Sequence, residues 1–307
     1  MRIAVPDLVS NSYFPAVAAL NLGFFSAEGL TANLQHIHPL PKTMQALKDG
    51  QIDFVAGSAH GTLTAFPNWD GVKLVVALAQ KTYWMLILRT NLGAKRGDIQ
   101  AVKGLRIAAA PGPDLALRHL LTKAGIDLQK DLVNISPLPG TSDSGVSFGI
   151  RAALALKNGL IDGFWANGMA SEVAIRNGTG SVILDLRRGI GPREAQFYTF
   201  PALITTTKKI DEDPESVSAA VRAIVKVQKL LRNDPTRSTE VGKLLFPEPE
   251  AGFIAALVKR DLPYYNPTIS EDAVSNMNRF AIDIGKLATP VPYEKVVATR
   301  FQALWSE

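Results

Sequence analysis

Short apolar runs alternate with amphipathic stretches along the first two thirds of the chain, and this alternation predicts strands and helices in turn. Buried strands are predicted at residues 3–5, 52–56, 106–110 and 161–165. Asn11 or Ser12 is predicted to cap the first helix, which Gly23 ends. Such alternation is typical of a mostly parallel sheet with helices on both faces. The pattern therefore predicts the α/β class.

Two segments of the chain are repeated in the same order. Residues 46–53 (ALKDGQID) return 109 positions later as residues 155–162 (ALKNGLID). Residues 2–7 (RIAVPD) have a looser counterpart 104 positions later, at residues 106–111 (RIAAAP). Ordered echoes at nearly equal offsets predict two similar lobes, with a cleft between them that suits a small molecule. The predicted boundaries are 1–88 plus 200–307 for the first lobe and 89–199 for the second.

Each copy of the first repeated segment ends in an aspartate, and paired acids can carry acid–base chemistry. Asp53 and Asp162, however, both stand at the start of a predicted strand rather than at its carboxyl end. We therefore expect both to have a structural role.

The pattern changes to helices alone after residue 205. Helices are predicted at residues 214–233, 236–245, 250–260, 271–285 and 293–305. Ser270 is well placed to cap the fourth, because a serine hydroxyl accepts a hydrogen bond from the first turn of a helix. We expect this tail to pack on the first lobe, to which the chain returns.

Composition narrows the classes of protein. The net charge is +5, which mildly favours anionic ligands, but no Lys/Arg cluster predicts a nucleic-acid partner. The pairs Arg187-Arg188 and Lys208-Lys209 are interpreted as solvated loop charges. The chain has no cysteine, and its four histidines lack zinc spacing, so we expect no metal or other cofactor. No apolar run approaches the roughly 18 residues of a membrane span. The first strand starts so early that no signal peptide is expected in this sequence, which fits either a cytoplasmic protein or an exported one whose leader has been removed.

Residues 21–30 (NLGFFSAEGL) resemble the GFF-x-x-EGL signature of solute-binding proteins of ABC importers, in the nitrate, sulfonate, taurine and thiamine-pyrimidine-precursor group. Similar segments follow in order at residues 46–54, 103–108, 155–162, 213–215, 233–235 and 285–293. The resemblance covers essentially the whole chain and is more specific for the fold than for the ligand. It implies the type II periplasmic-binding-protein fold, in which two crossover strands join two α/β lobes with mostly parallel sheets. It also implies a monomeric periplasmic receptor that delivers a small-molecule solute to the membrane permease of an importer.

Ligands of open parallel sheets lie beyond the carboxyl ends of the strands, near helix N-termini. Ligand contacts are accordingly predicted for Ser12, Tyr13, Ser58, His60, Trp84, Gly112, Pro113, Thr141, Ser142, Trp165 and Asn167. Ser58 and Asn167 occupy equivalent strand ends in the repeat. Each candidate also has a structural interpretation, such as helix capping for Ser12 or core packing for the tryptophans. Three arginines are further candidates for binding an anion through bidentate pairing, although a surface or structural charge is the favoured interpretation of each: Arg118, Arg151 and Arg193.

No enzyme motif is present, so no catalytic residue is assigned: the chain lacks Gly-x-Ser-x-Gly, a phosphate-binding loop and His-Glu-x-x-His. The group nevertheless resembles aromatic decarboxylases and a sulfinate desulfinase that uses a cysteine. A cytoplasmic aromatic acid decarboxylase with His60 as proton donor is therefore the enzymatic alternative. A third class, the ligand-sensing half of a transcription regulator, would need a helix-turn-helix domain, which nothing before Ile3 could form. The sequence does not decide whether the ligand is an aromatic acid, an alkyl sulfonate or a pyrimidine.

Overall fold

The structure is a computed structural model, and it describes residues 1–138 and 147–306. The chain divides into two compact units. Unit 1 comprises Met1–Lys81 and Thr199–Glu307, and unit 2 comprises Thr82–Tyr198. The chain passes from unit 1 to unit 2 after Lys81, whereas the boundary expected from the sequence was residue 88.

Unit 1 is built on a five-stranded sheet. Its strands are β1 (Arg2–Val5), β2 (Asn33–His36), β3 (Phe54–Ser58), β4 (Val72–Ala77) and β10 (Pro201–Thr206). The strand order is β2-β1-β3-β10-β4. Strand β1 pairs in parallel with β2 and β3, whereas β10 runs antiparallel between β3 and β4. The carboxyl ends of β1, β3 and β4 therefore share one edge with the beginning of β10.

Unit 2 repeats this topology with the remaining strands. They are β5 (Met85–Arg89), β6 (Arg106–Ala109), β7 (Asn134–Ser136), β8 (Gly163–Ala166) and β9 (Gly180–Asp185). The strand order is β7-β6-β8-β5-β9, with β5 as the antiparallel strand. Strand β5 in unit 2 thus corresponds to β10 in unit 1. Two α/β units of the same topology confirm the predicted fold class.

The helices cover these sheets. Those of unit 2 are α4 (Pro113–Lys123), α5 (Phe148–Lys157) and α6 (Gly168–Arg176). Those of unit 1 are α1 (Phe14–Asn21), α2 (Phe24–Ala27), α3 (Leu40–Lys48), α7 (Thr207–Glu212), α8 (Pro214–Asn233), α9 (Arg237–Leu245), α10 (Glu250–Asp261), α11 (Glu271–Asp283) and α12 (Tyr293–Val296). Ser270 caps α11 as predicted, because its side chain accepts from the N–H of Ala273. In the described part of the chain, no helix is both long and apolar enough to cross a bilayer.

The helical tail packs on unit 1, as predicted, and α8 makes the principal contact with α1 and α2. The signature glutamate takes part in this packing. Glu28 accepts a hydrogen bond from Arg222 Nε at 2.6 Å and is also paired with Lys226, both on α8. Burial raises the pKa of Glu28, but the hydrogen bonds from Lys226 and Arg222 outweigh it, so the pKa lies below its ordinary value. The carboxylate thus joins the start of the chain to its tail.

One predicted helix is broken in the structure, and one helix of the structure was not predicted. The helix expected at residues 293–305 is broken into α12 and a 3₁₀ segment, Thr299–Ser306. Val297 leaves the helical conformation to form a bridge with Leu74, and the N–H of Ala298 donates to Leu74 O at 2.9 Å. Helix α6 is absent from the predicted elements, in which Asn167, its N-cap, is assigned to ligand contact.

The internal repeat has a structural counterpart at the strand beginnings. Asp53 accepts from the backbone N–H of Arg2 at 2.7 Å, and Asp162 accepts from that of Arg106 at 3.0 Å. Each guanidinium also binds the same carboxylate, 2.7 Å from Asp53 and 2.8 Å from Asp162. Asp53 therefore fastens β3 to β1 and Asp162 fastens β8 to β6, which confirms their structural role.

Candidate functional site

The candidate residues of unit 1 lie together at the carboxyl edge of its sheet. Ser58 ends β3 and is fully buried, and its Oγ lies 3.4 Å from the hydroxyl of Tyr13, in the loop after β1. His60 follows two residues later, and its Nδ1 lies 3.0 Å from the Oγ1 of Thr199, just before β10. The edge therefore presents two hydroxyls and an imidazole, all of which can form hydrogen bonds with a polar ligand.

The imidazole of His60 is held from two sides. Its own backbone N–H also donates to Thr199 Oγ1, at 3.3 Å, and its ring lies 5.5 Å from the ring of Phe280 in an edge-to-face arrangement. Such a setting fixes the orientation of the ring, as either a binding or a proton-transferring histidine requires.

Ser12 is not the cap of α1, contrary to the prediction. The helix begins at Phe14 after Tyr13, without a side-chain cap, because Pro15 in its first turn has no N–H to satisfy. Ser12 is fully buried in the preceding turn, where its N–H donates to Ser10 Oγ at 3.3 Å. The serine therefore belongs to the loop rather than to the helix.

The loop of residues 10–13 is anchored by residues that sequence reasoning missed. Asn11 is 2% exposed, and its side-chain amide donates to the buried carboxylate of Asp261 at the end of α10. The hydroxyl of Tyr265 donates to the backbone oxygen of Asn11 at 2.6 Å. Partners 250 positions apart leave no local signal in a sequence. Their effect is to hold the loop at the carboxyl edge of the sheet.

The candidate residues of unit 2 form a second group, at the corresponding edge of its sheet. Trp84 directly precedes β5, and its ring lies 6.0 Å from that of Trp165 in β8. The indole N–H of Trp165 donates to the backbone oxygen of Pro113 at 3.1 Å, which ties β8 to the start of α4. Gly112 occupies the N-cap of α4 with φ of +98°, a conformation that glycine adopts without a steric cost. Both tryptophans are buried, at 2% and 1% exposure.

Asn167 follows β8 and caps α6. Its Oδ1 accepts from the N–H of Met169 at 3.1 Å and from that of Ala170 at 3.5 Å. The predicted equivalence with Ser58 is therefore one of position, since Ser58 caps no helix through its side chain. Thr141 and Ser142 lie outside the described residues.

A buried cation stands at the same edge of unit 2. Arg187 is 2% exposed, so the interpretation of Arg187-Arg188 as solvated loop charges was wrong for this residue. Its guanidinium carbon lies 5.5 Å from the centroid of the Tyr83 ring. Arg188 instead forms an ion pair with Asp185 at 3.1 Å. The sequence shows only two adjacent arginines after a strand and does not distinguish them.

Two of the three further arginines named from the sequence, Arg118 and Arg193, have different environments. Arg118 pairs with Asp114 at 3.2 Å and donates to Ile135 O at 2.6 Å, so it is a structural charge of α4. Arg193 is exposed. Across residues 1–138 and 147–306, no cluster of three or more His, Asp or Glu side chains could hold a metal ion.

The comparisons with known proteins agree with this architecture. The model of the NMT1/THI5-like family matches residues 10–238, and the chain belongs to this family. The sequence matches none of the curated proteins.

Solved structures similar to the chain share its fold over the whole length. A protein of Bordetella bronchiseptica RB50 is 20% identical with a TM-score of 0.77, covering 100% of this chain and 98% of its own. A periplasmic sulfonate-binding protein, SsuA of Methylobacillus flagellatus KT, is 18% identical with a TM-score of 0.68, covering 99% and 92%. DSZB in complex with biphenyl-2-sulfinic acid is 15% identical with a TM-score of 0.65, covering 98% and 97%.

Proposed function

We propose that the chain is the solute-binding protein of an ABC importer and captures a small organic anion in the periplasm. The observation that carries this proposal is the equivalent placement of polar and aromatic residues at the carboxyl edges of two repeated sheets. Membership in the NMT1/THI5-like family supports it, as does the likeness to a periplasmic sulfonate-binding protein. The partner would be the membrane permease of the importer, and the receptor would act as a monomer.

Capture would use the two edges together. Hydroxyls of Tyr13 and Ser58 and the imidazole of His60 would bind the polar groups of the solute from unit 1. Trp84, Trp165 and the start of α4 would bind it from unit 2, with Asn167 beside them. Contacts made by both units at once would favour a closed form, in proportion to the difference in affinity between the two forms.

The alternative is an enzyme of the same fold, an aromatic acid decarboxylase in which His60 donates the proton. The fixed imidazole and the likeness to DSZB, a desulfurization enzyme, favour this second candidate. Cysteine-dependent desulfination is not open to the chain, because it has no cysteine. Binding is the stronger candidate, because membership in the NMT1/THI5-like family and the likeness to a periplasmic sulfonate-binding protein both support it.

The deciding experiment starts with mass spectrometry of any compound that copurifies with the protein. A thermal-shift screen of alkanesulfonates, aromatic acids and pyrimidines follows, in which a ligand at 100 times its Kd adds about 2.7 kcal/mol of stability. We expect the bound compound to be recovered unchanged after long incubation. We also expect saturating ligand to lower the radius of gyration in solution scattering. Turnover that disappears in His60→Ala would instead establish the decarboxylase.

A further inference from the structure

A cavity of about 350 Å³ lies beside α11 in unit 1, and none of its lining residues belongs to the candidate ligand-binding group. One wall is a stripe of α11 whose members recur every three or four positions: Glu271, Val274, Ser275, Asn278, Arg279 and Ile282. The other wall is the segment that leads into α12, with Pro290, Val291 and Tyr293. A cavity of this size, with apolar walls and a few polar groups, suits a small organic molecule.

Hydrogen bonds fix the walls of this cavity. The side-chain amide of Asn278 donates to the backbone oxygen of Val291 at 2.8 Å, which joins one wall to the other. The hydroxyl of Tyr293 donates to Ile269 O at 2.5 Å and accepts from Gln302 Nε2 at 2.9 Å. The tyrosine hydroxyl therefore has two partners already, and its ring is held in place. A ligand meets a preformed surface, which lowers the entropic cost of binding.

The amide of Asn278 presents an acceptor that the fold itself does not use. The residue is only 3% exposed. Because the carbonyl of Val291 can only accept, the group that faces it must be the side-chain NH₂, and Oδ1 is left on the other side of the amide. Among the described residues, no donor reaches this buried oxygen. Since a buried acceptor without a partner is costly, a ligand that brings an N–H or O–H donor gains by filling the position.

The charges along the helix set the direction in which a ligand lies in the cavity. Arg279 is exposed and directly follows Asn278, so a guanidinium and the amide oxygen are neighbours in one wall. Glu271 stands eight positions before Arg279, which is about 12 Å along a helix. An anionic group is therefore favoured at the Arg279 end and disfavoured at the other. Ile282 and Val291 add apolar surface near the cationic end.

We propose that this cavity is a second binding site, for a carboxylate that carries an amide N–H beside it, such as an N-acylated amino acid with an apolar side chain. The carboxylate binds Arg279, and the N–H donates to Asn278 Oδ1. The apolar side chain packs against Ile282 and Val291. In such a molecule one carbon separates the nitrogen from the carboxylate, which suits a cation and an acceptor on neighbouring residues. The inference does not depend on the proposed function.

The test is calorimetric titration of the full chain with N-acetyl-leucine and three analogues. N-acetyl-leucinamide lacks the charge, N-acetyl-N-methyl-leucine lacks the N–H, and N-acetylglycine lacks the apolar side chain. We expect each analogue to bind at least fivefold more weakly than N-acetyl-leucine, because each has lost one of the three contacts.

Variants assign the binding to the cavity. Arg279→Gln is expected to weaken the binding of N-acetyl-leucine at least fivefold and to leave that of N-acetyl-leucinamide unchanged. Arg300→Gln is its matched control, because Arg300 is exposed and does not line the cavity. Asn278→Ala should abolish the preference for the N–H compound over its N-methyl analogue. Asn276→Ala, on the same helix but outside the cavity, should keep that preference.

Three results would overturn the inference. In the wild type, N-acetyl-leucine that does not bind, or binds no better than its neutral amide, would do so. Equal affinity for the N–H and N-methyl compounds would rule out a donor to Asn278, and both measurements hold even if Asn278→Ala fails to fold. Normal binding by Arg279→Gln, which changes only an exposed side chain, would place the compound at another site such as the strand edges.

Discussion

Arg106 holds Asp162 by three hydrogen bonds, from its backbone N–H, Nε and Nη2 at 3.0, 2.8 and 3.0 Å. Arg89 adds a fourth, at 2.6 Å. The carboxylate is 9% exposed and fastens β8 to both of its neighbouring strands, β6 and β5. The hydrogen bond from Arg106 is the main reason that the pKa of Asp162 falls to about 2, although burial acts against it. The corresponding acid of unit 1, Asp53, is bound by the backbone N–H and the guanidinium of Arg2.

Asp162→Asn is expected to lower the free energy of unfolding by about 2 kcal/mol at neutral pH, the amount that corresponds to the displaced pKa. Because the folded-state pKa lies below the ordinary 3.8, this stabilisation is present above pH 3.8 and is lost as the pH falls towards 2. Urea unfolding of wild type and variant at several pH values measures the difference.

Asp53→Asn is the matched control, in the equivalent position of the other unit. Its partner Arg2 has a side chain that is 46% exposed, so we expect a loss of about 1 kcal/mol or less. Equal losses for the two variants would show that the second cation and the deeper burial of Asp162 contribute nothing.

The sequence predicted what depends on local pattern. The bounds of α8, Pro214–Asn233, agree with the prediction because a proline start and an uninterrupted apolar stripe define that helix. The repeat predicted the common topology of the units, since one echo contains the acid at a strand start and the other contains the arginine that binds it. Ser270 was identifiable as a cap because a serine directly precedes the apolar stripe of α11.

What the sequence could not show depends on partners far along the chain. The bridge between Val297 and Leu74 ends a helix that the local pattern favours. The bond between Asn11 and Asp261 anchors a loop whose own residues predict only a turn. Arg187 is buried and Arg188 pairs with Asp185, a difference that two adjacent arginines after a strand do not show in the sequence.

Glu28→Gln is expected to lower the free energy of unfolding by about 1–3 kcal/mol, because a buried carboxylate that binds two cations of α8 becomes neutral. Thermal and denaturant unfolding measure this loss. Glu212→Gln is the control: it removes a pair whose side chains are 79% and 64% exposed, and should change stability by less than 0.5 kcal/mol, an estimate typical of surface substitutions. A silent Glu28→Gln would mean that the signature glutamate does not join the tail to α2.

Gly163→Ala tests the close approach of β8 to β5. An added Cβ would lie 2.7 Å from the backbone oxygen of Ile87 and 2.4 Å from Leu88 Cδ2, and a backbone atom in a sheet cannot move aside freely. We expect a loss of about 1–3 kcal/mol in the free energy of unfolding. Gly252→Ala, in α10 with nothing within 4 Å, should instead gain about 0.4–1 kcal/mol. The same sign for both variants would contradict this packing.

Ser58 and Asn167 test whether equivalent strand ends bind the ligand. Ser58→Ala removes a buried hydroxyl at the carboxyl edge of unit 1, so we expect the affinity for the tightest compound of the thermal-shift screen to fall threefold to a hundredfold, roughly the loss of one hydrogen bond of 0.5–3 kcal/mol. The stability of the free protein should fall only by about 0.5–1.5 kcal/mol, the loss of the one hydrogen bond with Tyr13.

Asn167→Ala also removes the cap of α6, and should therefore cost about 1 kcal/mol of stability without any ligand. Asn167→Ser separates the two roles, because its hydroxyl can still cap the helix while the amide that would reach the ligand is gone. We expect Asn167→Ser to melt near the wild type but to bind less tightly. Normal binding by both Ser58→Ala and Asn167→Ser in calorimetric titration would place the ligand away from the strand ends that the repeat pairs.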